Sequence, residues 1–570
     1  MLPPEIQRVV LLILLAATAY LLILAWNEDM EEARVPITYD DAPVLTMEAS
    51  KPIESAAAIP ELAGTRADGD IPDQTLLTPS DAVAEPAQVV SSDRLVTVES
   101  SHLKVWIDVL GGDIVRVQLP QYPVTRDAPD VPYLLLEQAR DHTYIAQSGL
   151  IGPNGLDSSG QRPLYSPSSR ALVLSDDQSD TAELVLSTTV EGVSVNKVFS
   201  FTNESNLIEV SYQVVNQTSS AFTAGLFTQI KRDATLPSAD EAFPLAPQPY
   251  LGAAFTSEDN PYHKVDFSDL NDGPYQETTT GGWVAFLQHY FLSAWVADKE
   301  QNTRYYARRS NDGHYLFGMT GSALTVQPGE SGTWRAGFYA GPKDQIVLGE
   351  IAENLNLTVD YGILWWIAIP LFLALTFFHD LVGNWGVAII LLTLTVKASL
   401  YWVSDKGYRS MANLRRVAPA MKRLQERYAN DREKLTKEMM ALYKKEGANP
   451  LGGCLPMLLP MPIFLALYWV LLESVELRQA PFIFWIEDLS AMDPYFVLPL
   501  LMGGSTYLMQ ALNPQAADPM QAKIMKFMPI MFTILFLFFP SGLVLYWLVN
   551  NLLSLAQQTY VYRREERARA

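Results

Sequence analysis

One lysine inside a long apolar stretch is the residue whose type and position most directly suggest chemistry. The stretch WGVAIILLTLTVKASLYWV covers residues 385–403, and Lys397 is its only charged residue. At 1.5 Å per residue, a helix of this length nearly crosses a bilayer core of about 30 Å. A charge at such depth costs at least about 2.5 kcal/mol. Water, a polar neighbour or a passing substrate must therefore solvate it.

Two polar residues are predicted to flank Lys397 on the same helical face. Thr393 precedes it by four residues and Tyr401 follows it by four, which is the spacing of neighbouring turns. The alternative is that the lysine stem extends along the helix axis to the interface near Ser404 and Asp405. The sequence leaves both interpretations open.

The other reactive residue types form no pattern typical of catalysis. The glycines form no phosphate-binding loop, and isolated acids such as Asp108 and Glu137 are interpreted as surface charge. The single cysteine, Cys454, excludes an intrachain disulfide. We therefore expect no covalent chemistry, no cofactor and no metal site. The histidines show no metal-ligand spacing, and they are His102, His142, His263, His289, His314 and His379.

The charge distribution divides the chain into two parts with different surroundings. The whole chain has a net charge of −22, but residues 27–340 hold 43 acidic and 19 basic residues, whereas residues 341–570 hold 19 and 21. An acidic surface argues against nucleic-acid binding by the first part.

The first 95 residues predict a membrane anchor and a tether. Residues 9–26 form an apolar run that follows Arg8 and precedes four acidic residues. The run is longer than the apolar core of a cleavable signal peptide and has no small-residue cleavage site. We interpret residues 1–26 as a signal-anchor helix with its N-terminus inside. Residues 27–95, rich in Ala, Pro and acidic residues, predict a disordered linker.

Residues 96–343 predict a large antiparallel β-sandwich. Alternating segments recur, such as Ile208, Val210, Tyr212 and Val214, and turn signals such as Gly111–Gly112 separate them. Residues 344–384 predict connecting and interfacial helices.

Charge bias determines how the apolar segments after residue 360 are arranged. The loop 404–449 holds twelve basic and six acidic residues, so it belongs inside. If residues 361–379 crossed the membrane, that loop would lie outside. We therefore interpret 361–379, which Pro370 interrupts, as an interfacial or half-inserted helix. Residues 385–403 form the second span, residues 450–562 predict the third to sixth, and the basic tail 563–570 lies inside.

The loop 404–449 predicts an antiparallel helical hairpin with an apolar stripe and a basic surface. One interpretation is a solvated connector. The other is a docking surface for an incoming chain, a ribosome or lipid headgroups, and its candidate residues are Arg415, Arg416, Lys422 and Arg423.

Four segments together resemble the YidC-type membrane protein insertases. They are GNWGVAIILLTLTVK (383–397), NPLGGCLPMLLPMPIFLALYWVL (449–471), SVELRQAPFIFWIEDLSAMDPYFVLPLLMG (474–503) and DPMQAKIMKFMPIMFTILFLFFPSGLVLYW (518–547). The resemblance covers nearly the whole chain, and a large β-sandwich between the first two spans is similar to the Gram-negative form.

The resemblance implies a five-helix core, made of spans two to six, around a hydrophilic groove open to the cytoplasm and to lipid. Lys397 matches the arginine of the groove floor, and Thr393 matches a polar residue one turn away. Tyr546–Trp547 stands where the family often has a Tyr-Tyr pair, and Trp402 where a proline commonly follows the tyrosine. Substrate helices would slide into lipid along Ile463, Phe464, Leu467, Met528 and Phe532.

The resemblance also implies partners and a location. The partners are nascent membrane proteins, the Sec translocon (SecYEG and SecDF), the ribosome and membrane lipids. The location is the bacterial inner membrane, with both termini cytoplasmic and residues 27–360 mainly periplasmic.

Two other classes of function stay open at this point. A small-solute transporter fits an intramembrane lysine, but no internal repeat or second intramembrane charge is present. A membrane-anchored periplasmic enzyme fits the sandwich, which we otherwise interpret as a non-catalytic spacer or docking module.

Overall fold

The computed structural model describes residues 92–140, 142–157, 162–175, 180–235, 249–271, 273–428, 431–446, 460–513 and 519–568. The predicted anchor 1–26 and nearly all of the linker 27–95 lie outside the described residues, as does the start of the predicted third span, residues 450–459. A β-rich domain comes first and a group of helices follows it.

Alternation of apolar and polar residues builds the strands of the β-rich domain. Along Leu207–Asn216, for example, Ile208, Val210, Tyr212 and Val214 are buried while most of their neighbours are exposed or partly exposed. Period-two alternation places these residues on one face of a sheet. The strands are β1 (Leu95–Glu99), β2 (Lys104–Asp108), β3 (Asp113–Pro123), β4 (Pro132–Gln138), β5 (Thr143–Ile151), β6 (Ser166–Pro167), β7 (Ala171–Val173), β8 (Thr181–Val190), β9 (Val193–Thr202), β10 (Leu207–Asn216), β11 (Phe222–Arg232), β12 (Gly252–Phe255), β13 (His263–Val265), β14 (Tyr275–Thr280), β15 (Trp283–Leu287), β16 (Phe291–Ala297), β17 (Asn302–Arg309), β18 (Tyr315–Gly321), β19 (Leu324–Val326) and β20 (Ser331–Pro342).

Two sheets enclose one apolar core. The first has eleven strands in the order β14-β17-β18-β11-β5-β4-β3-β2-β1-β7, with β19 also on β11, and the second has nine in the order β13-β12-β15-β16-β20-β10-β9-β8-β6. Buried residues of both sheets, such as Val105 and Phe199, belong to the same cluster. The pairing is antiparallel except between β1 and β7, which run parallel and depart from the predicted all-antiparallel arrangement. Gly111 and Gly112, with φ of +79° and +64°, make the turn between β2 and β3 that the sequence predicts.

Nine helices follow among the described residues. They are α1 (Gln345–Ile351), α2 (Trp365–Val382), α3 (Trp385–Ser399), α4 (Tyr401–Arg427), α5 (Arg432–Glu446), α6 (Met461–Glu473), α7 (Val497–Leu512), α8 (Pro519–Phe536) and α9 (Ser541–Arg567). Within the described chain, the segment Gly362–Val382 is long and apolar enough to cross a membrane by itself, and the bent pair α3–α4 would count as a second such segment. Pro370 lies inside α2 and does not interrupt it.

The helix that carries Lys397 is shorter than the sequence predicts. The apolar run 385–403 predicts one helix, but α3 ends at Ser399 and the chain bends by 68° before α4 begins. The hydroxyls of Thr395 and Ser399 donate to the carbonyl oxygens of Leu391 and Thr395, both at 2.9 Å. Hydroxyls that bond to the preceding turn in this way bend helices. The basic hairpin, α4 and α5, therefore begins at Tyr401.

Candidate functional site

Lys397 lies in the last turn of α3 and contacts the last helix of the bundle. Its Nζ donates to Oγ of Ser554 on α9 at 2.7 Å, and this Oγ in turn donates to the carbonyl oxygen of Asn550, also at 2.7 Å. The lysine side chain therefore reaches the neighbouring helix α9, where a hydroxyl replaces part of its hydration. The sequence predicts that Lys397 needs a polar partner but does not identify Ser554 as that partner.

A polar stripe on α9 continues from this contact. Nδ2 of Asn551 donates to the hydroxyl oxygens of Ser505 and Thr506 on α7, at 3.1 and 2.9 Å. Nε2 of Gln558 lies 2.8 Å from Oδ1 of Asn513 and 2.9 Å from the Tyr562 hydroxyl. Asn551, Ser554 and Gln558 are all buried.

Two acceptors of this stripe are buried without a protein donor. Oδ1 of Asn551 and Oε1 of Gln558 accept no hydrogen bond from any residue that the structure describes. A buried polar atom without a partner is costly, so water or a donor from a bound chain is the expected partner. The apolar character of residues 450–562 predicts membrane spans and does not single out this stripe. The spacing of residues 551, 554, 558 and 562 on one helical face was the available signal.

The predicted neighbours of Lys397 are only partly brought together. Thr393 is 1% exposed, and its hydroxyl donates to the carbonyl oxygen of Ile389 in its own helix at 2.7 Å. Tyr401 lies beyond the bend and is exposed, so it does not share a helical face with Lys397. Tyr546 and Trp547 precede Ser554 on α9 by eight and seven residues, or about 11–12 Å along the axis.

Aromatic packing surrounds Trp547 instead. Its ring makes an edge contact with Phe464 at 4.6 Å and lies 5.5 Å from the ring of Phe536 and 6.4 Å from that of Phe532. Tyr546 is fully buried in the same apolar cluster.

The residues predicted to guide a substrate helix differ in exposure. Phe464 and Leu467 are buried inside the bundle, whereas Ile463, Met528 and Phe532 are partly exposed. The outward apolar face of α6 and α8 consists of other residues, namely Leu465, Phe527, Ile530, Met531 and Ile534.

The hairpin end of the bundle is held by one carboxylate. Asp405 accepts from Nη2 of Arg564 and of Arg409, both at 2.8 Å, and its side chain is 8% exposed. Tyr408 and Met411 of α4 pack against Val561 and Tyr562 of α9 at the same level. The basic residues proposed for docking all lie on the exposed face of α4, and they are Arg415, Arg416, Lys422 and Arg423.

The opposite end of the bundle is covered by the segment 474–496. Its Ala491 and Leu489 carbonyl oxygens accept from the first backbone N–H groups of α9, those of Ser541 at 2.7 Å and Gly542 at 2.9 Å. Nδ2 of Asn384, the residue that caps α3, donates to the carbonyl oxygen of Phe482 at 3.1 Å. The segment therefore contacts the N-terminal ends of α3 and α9.

The β-rich domain docks on this covered end. Lys343, directly after β20, pairs with Glu473 at the end of α6, and both side chains are 1% exposed. The Nε2–H of His289 donates to the carbonyl oxygen of Leu472 at 2.8 Å, since a carbonyl only accepts. Burial and the nearby Lys343 lower the pKa of His289 to about 4, so the imidazole is neutral. Arg478 donates to the carbonyl oxygen of Pro123 at 2.7 Å. No pattern in the sequence indicates this docking.

The charges of a buried cluster inside the β-rich domain are paired with one another and with backbone carbonyl groups. Arg162 pairs with Asp113 and Asp157, and Nζ of Lys197 donates to the carbonyl oxygen of Gly112 at 2.7 Å. Lys197 is 0% exposed. Because these charges are enclosed and mutually paired, the cluster holds the two sheets together and offers no surface to a ligand. No group of three or more potential metal ligands occurs among the described residues.

Comparisons with known proteins cover the whole of this architecture. Residues 95–374 match the family described as the YidC periplasmic domain, and residues 377–568 match the family described as the 60Kd inner membrane protein. A relative from Stutzerimonas stutzeri, named membrane protein insertase YidC, is 45% identical over 563 residues and covers 99% of each chain. A relative of the same name from Pseudomonas fluorescens is 45% identical over 571 residues, again with 99% of each chain covered.

One similar solved structure is a crystal structure of an active YidC insertase with its first transmembrane domain resolved. It is 19% identical with a TM-score of 0.36, and the match covers 83% of this chain and 94% of that one. The relatives are named as insertases, a function that involves no covalent catalysis.

Proposed function

The chain belongs to the YidC family of membrane protein insertases, and we propose that it inserts newly made inner-membrane proteins through a wet, positively charged groove beside Lys397. It also helps these proteins to fold, alone or with the Sec translocon. The observation that carries the proposal is the contact of Lys397 with Ser554, which joins the only charge of α3 to the polar stripe of α9.

The polar stripe supports a hydrated path. A substrate must carry a short polar, often acidic, segment past hydrocarbon, which is costly because the segment loses its hydration. The free acceptors of Asn551 and Gln558 take the place of water as partners for hydrogen-bond donors of that segment. Lys397 attracts the carboxylates of the segment. No nucleotide is needed, because the burial of about twenty apolar residues in lipid makes release favourable.

The two ends of the bundle support one direction of movement. The segment 474–496 and the docked β-rich domain close the end near Asn384, so substrates enter from the hairpin end. We assign the closed end to the periplasm and the hairpin end to the cytoplasm, where basic loops belong. With a signal anchor at 1–26, six spans then leave both termini in the cytoplasm and most of residues 27–360 in the periplasm.

The position of α2 fits this topology if it lies in the interface. Tyr361, four residues before α2 begins, is close to Glu476, and the residue that caps α3, Asn384, contacts Phe482. Both ends of α2 are therefore near one covering segment on one side of the membrane, although its length and composition also suit a span. Five helical spans around the groove remain, as the family resemblance implies.

Short helices support a thin membrane around the groove. The fifteen residues of α3 and the sixteen of α7 extend about 22 and 24 Å, less than the roughly 30 Å of an ordinary bilayer core. Local thinning shortens the path of a polar segment. The substrate helix leaves along the faces of α6 and α8 near Ile463, Met528 and Phe532. Because Phe464 and Leu467 are buried in this state, they would contact the substrate only after the helices separate.

The hairpin of α4 and α5 is proposed to receive substrates and their suppliers. Arg415, Arg416, Lys422 and Arg423 are exposed on α4, so anionic lipid headgroups, a ribosome or an emerging chain can reach them. The β-rich domain is proposed as a docked, non-catalytic module.

Liposomes that contain the purified protein and a small single-span substrate test the groove. We expect Lys397→Ala to reduce insertion strongly, and Lys397→Arg to retain most of it because the charge remains. Ser554→Ala should cause a smaller loss. Lys406→Ala is the matched control, because Lys406 is exposed and lies over the Trp402 ring, 3.4 Å from its centroid.

Normal insertion of every substrate by Lys397→Ala would refute the charged groove. Movement of a small solute that requires Lys397, without insertion, would instead favour a transporter. Deleting residues 100–320 should leave insertion in place if the β-rich domain is non-catalytic.

A further inference from the structure

We propose that residues 483–485 form an apolar tip that inserts into the lipid interface on the β-domain side of the membrane. The tip is Ile483–Phe484–Trp485, within the covering segment 474–496. It is separate from the groove beside Lys397, so its occupant is not the substrate of the proposed insertion reaction.

The tip displays a large aromatic side chain to the surroundings. Phe484 is 86% exposed and Ile483 is 48% exposed. An aromatic side chain buries about 150–250 Å² when it is covered, so leaving this one in water forgoes a large hydrophobic gain. The exposure of Phe484 therefore favours an apolar partner.

The chain holds the tip outward by specific contacts. The backbone N–H of Phe482 donates to the carbonyl oxygen of Ile486 at 2.9 Å, and that of Ile486 donates to the carbonyl oxygen of Ile483 at 3.2 Å. Phe484 has a φ of +56°, a left-handed conformation that costs about 1 kcal/mol or more for a residue with a side chain. A closed, strained turn of this kind is not a frayed loop.

Both flanks of the tip are anchored. On one side the ring of Phe482 packs directly against Gly386. A Cβ added to Gly386 would lie 2.0 Å from a carbon of that ring. On the other side Nε1 of Trp485 donates to Oδ1 of Asp493 at 2.9 Å, and Oδ2 of Asp493 accepts from the N–H of Leu498 at 2.6 Å in the first turns of α7.

These anchors determine the depth of the tip. Gly386 is in the first turn of α3 and Leu498 in the first turn of α7, so the tip lies level with the ends of two apolar helices. At the same side, α2 begins with the exposed Trp365 and Trp366. Exposed aromatic residues at the ends of membrane helices are typical of the interfacial belt.

Lipid fits this surface better than a protein partner does. A stable protein interface buries about 800 Å² per partner, and three side chains on one turn provide much less. The tip is also bordered by Arg126 and Glu487, an exposed ion pair at 3.8 Å whose groups suit the headgroup layer. An apolar tip with a charged border matches an interface that is apolar on one side and polar on the other.

Site-directed spin labelling can measure the depth of the tip. Because Cys454 is the single cysteine, Cys454→Ser provides a cysteine-free background. Nitroxide labels are placed by Phe484→Cys, by Glu487→Cys as the aqueous reference and by Ile530→Cys on the exposed face of α8 as the lipid reference. The protein is reconstituted in vesicles of phosphatidylethanolamine and phosphatidylglycerol, and collisions with oxygen and with a water-soluble nickel chelate are compared.

We expect the label at 484 to resemble that at 530, with oxygen collisions several-fold above those with nickel, and the label at 487 to show the reverse. A label at 484 that is as accessible to nickel as the label at 487 would overturn the proposal. Shielding that arises only at a high protein-to-lipid ratio, or only with a substrate present, would also overturn it, because the partner would then be protein. If Phe484→Cys does not fold, Ile483→Cys provides the same measurement. None of these results depends on insertion activity.

Discussion

Neutralising Lys343 is expected to weaken the attachment of the β-rich domain to the helices by about 3–5 kcal/mol. Lys343 and Glu473 form an ion pair in which each side chain is 1% exposed. Removing one partner leaves the other as an unpaired buried charge, which costs about 3–5 kcal/mol, whereas replacing both with apolar residues is often neutral. The loss is a large part of the roughly 5–15 kcal/mol that stabilises a typical protein.

A double-mutant cycle measures this coupling directly. The wild type, Lys343→Met, Glu473→Leu and the double variant are unfolded by urea in the same detergent, and amide hydrogen exchange is followed in β20 and in residues 474–482. We expect each single variant to lose about 3 kcal/mol or more and the double variant to regain most of it. Lys104→Met is the control, because the Lys104–Glu99 pair at 3.0 Å is 34% and 48% exposed and should contribute less than about 1 kcal/mol.

Two results would refute this reasoning. If Lys343→Met loses no more stability than Lys104→Met, the pair is not desolvated and the domain is not held at this point. If the double variant loses the sum of the two single losses, the side chains act independently, and the docking of the domain depends on other contacts such as that of His289.

Three further changes test other parts of the structure. Burial and the nearby Asp344 raise the pKa of Glu476 from 4.5 to about 7, so the folded protein binds this proton more tightly than the unfolded chain does. The contribution of Glu476 to stability should therefore be fully present below pH 4.5 and fall by about 3 kcal/mol as the pH rises to about 7; Glu476→Gln should remove this part of the pH dependence in unfolding experiments at pH 5 and pH 8. Gly386→Ala should cost about 1–3 kcal/mol by forcing Phe482 away, whereas Gly504→Ala, with nothing within 4 Å of the added carbon, should be neutral in the same thermal unfolding assay. Asp405→Asn should weaken both arginine contacts, because the amide that replaces the carboxylate carries no charge, and should increase proteolysis of the start of α4 several-fold; unchanged cleavage would contradict the role of this carboxylate.

The sequence alone determined the class of protein and singled out Lys397, the residue that we propose for its function. Apolar runs, the charge bias of the loops and the alternation between residues 96 and 343 are local properties, and each specifies an element without its partners. The four segments between residues 383 and 547 indicated the family, which the comparisons confirm. Lys397 was identified because a charge in an apolar run is visible without any tertiary information.

The tertiary structure decided which side chains meet. The contact of Lys397 with Ser554 joins residues 157 positions apart, and the pairing of Lys343 with Glu473 joins residues 130 positions apart. Neither is visible in the sequence, because periodicity reports which face of an element is apolar but not which element will cover it. The bend after Ser399 is a second case, since an apolar run that predicts a continuous helix is divided there into α3 and α4. The sequence therefore specified the elements and the lone charge of an apolar run, whereas long-range packing decided the partner of that charge, the covered end of the helical bundle and the docking of the β-rich domain.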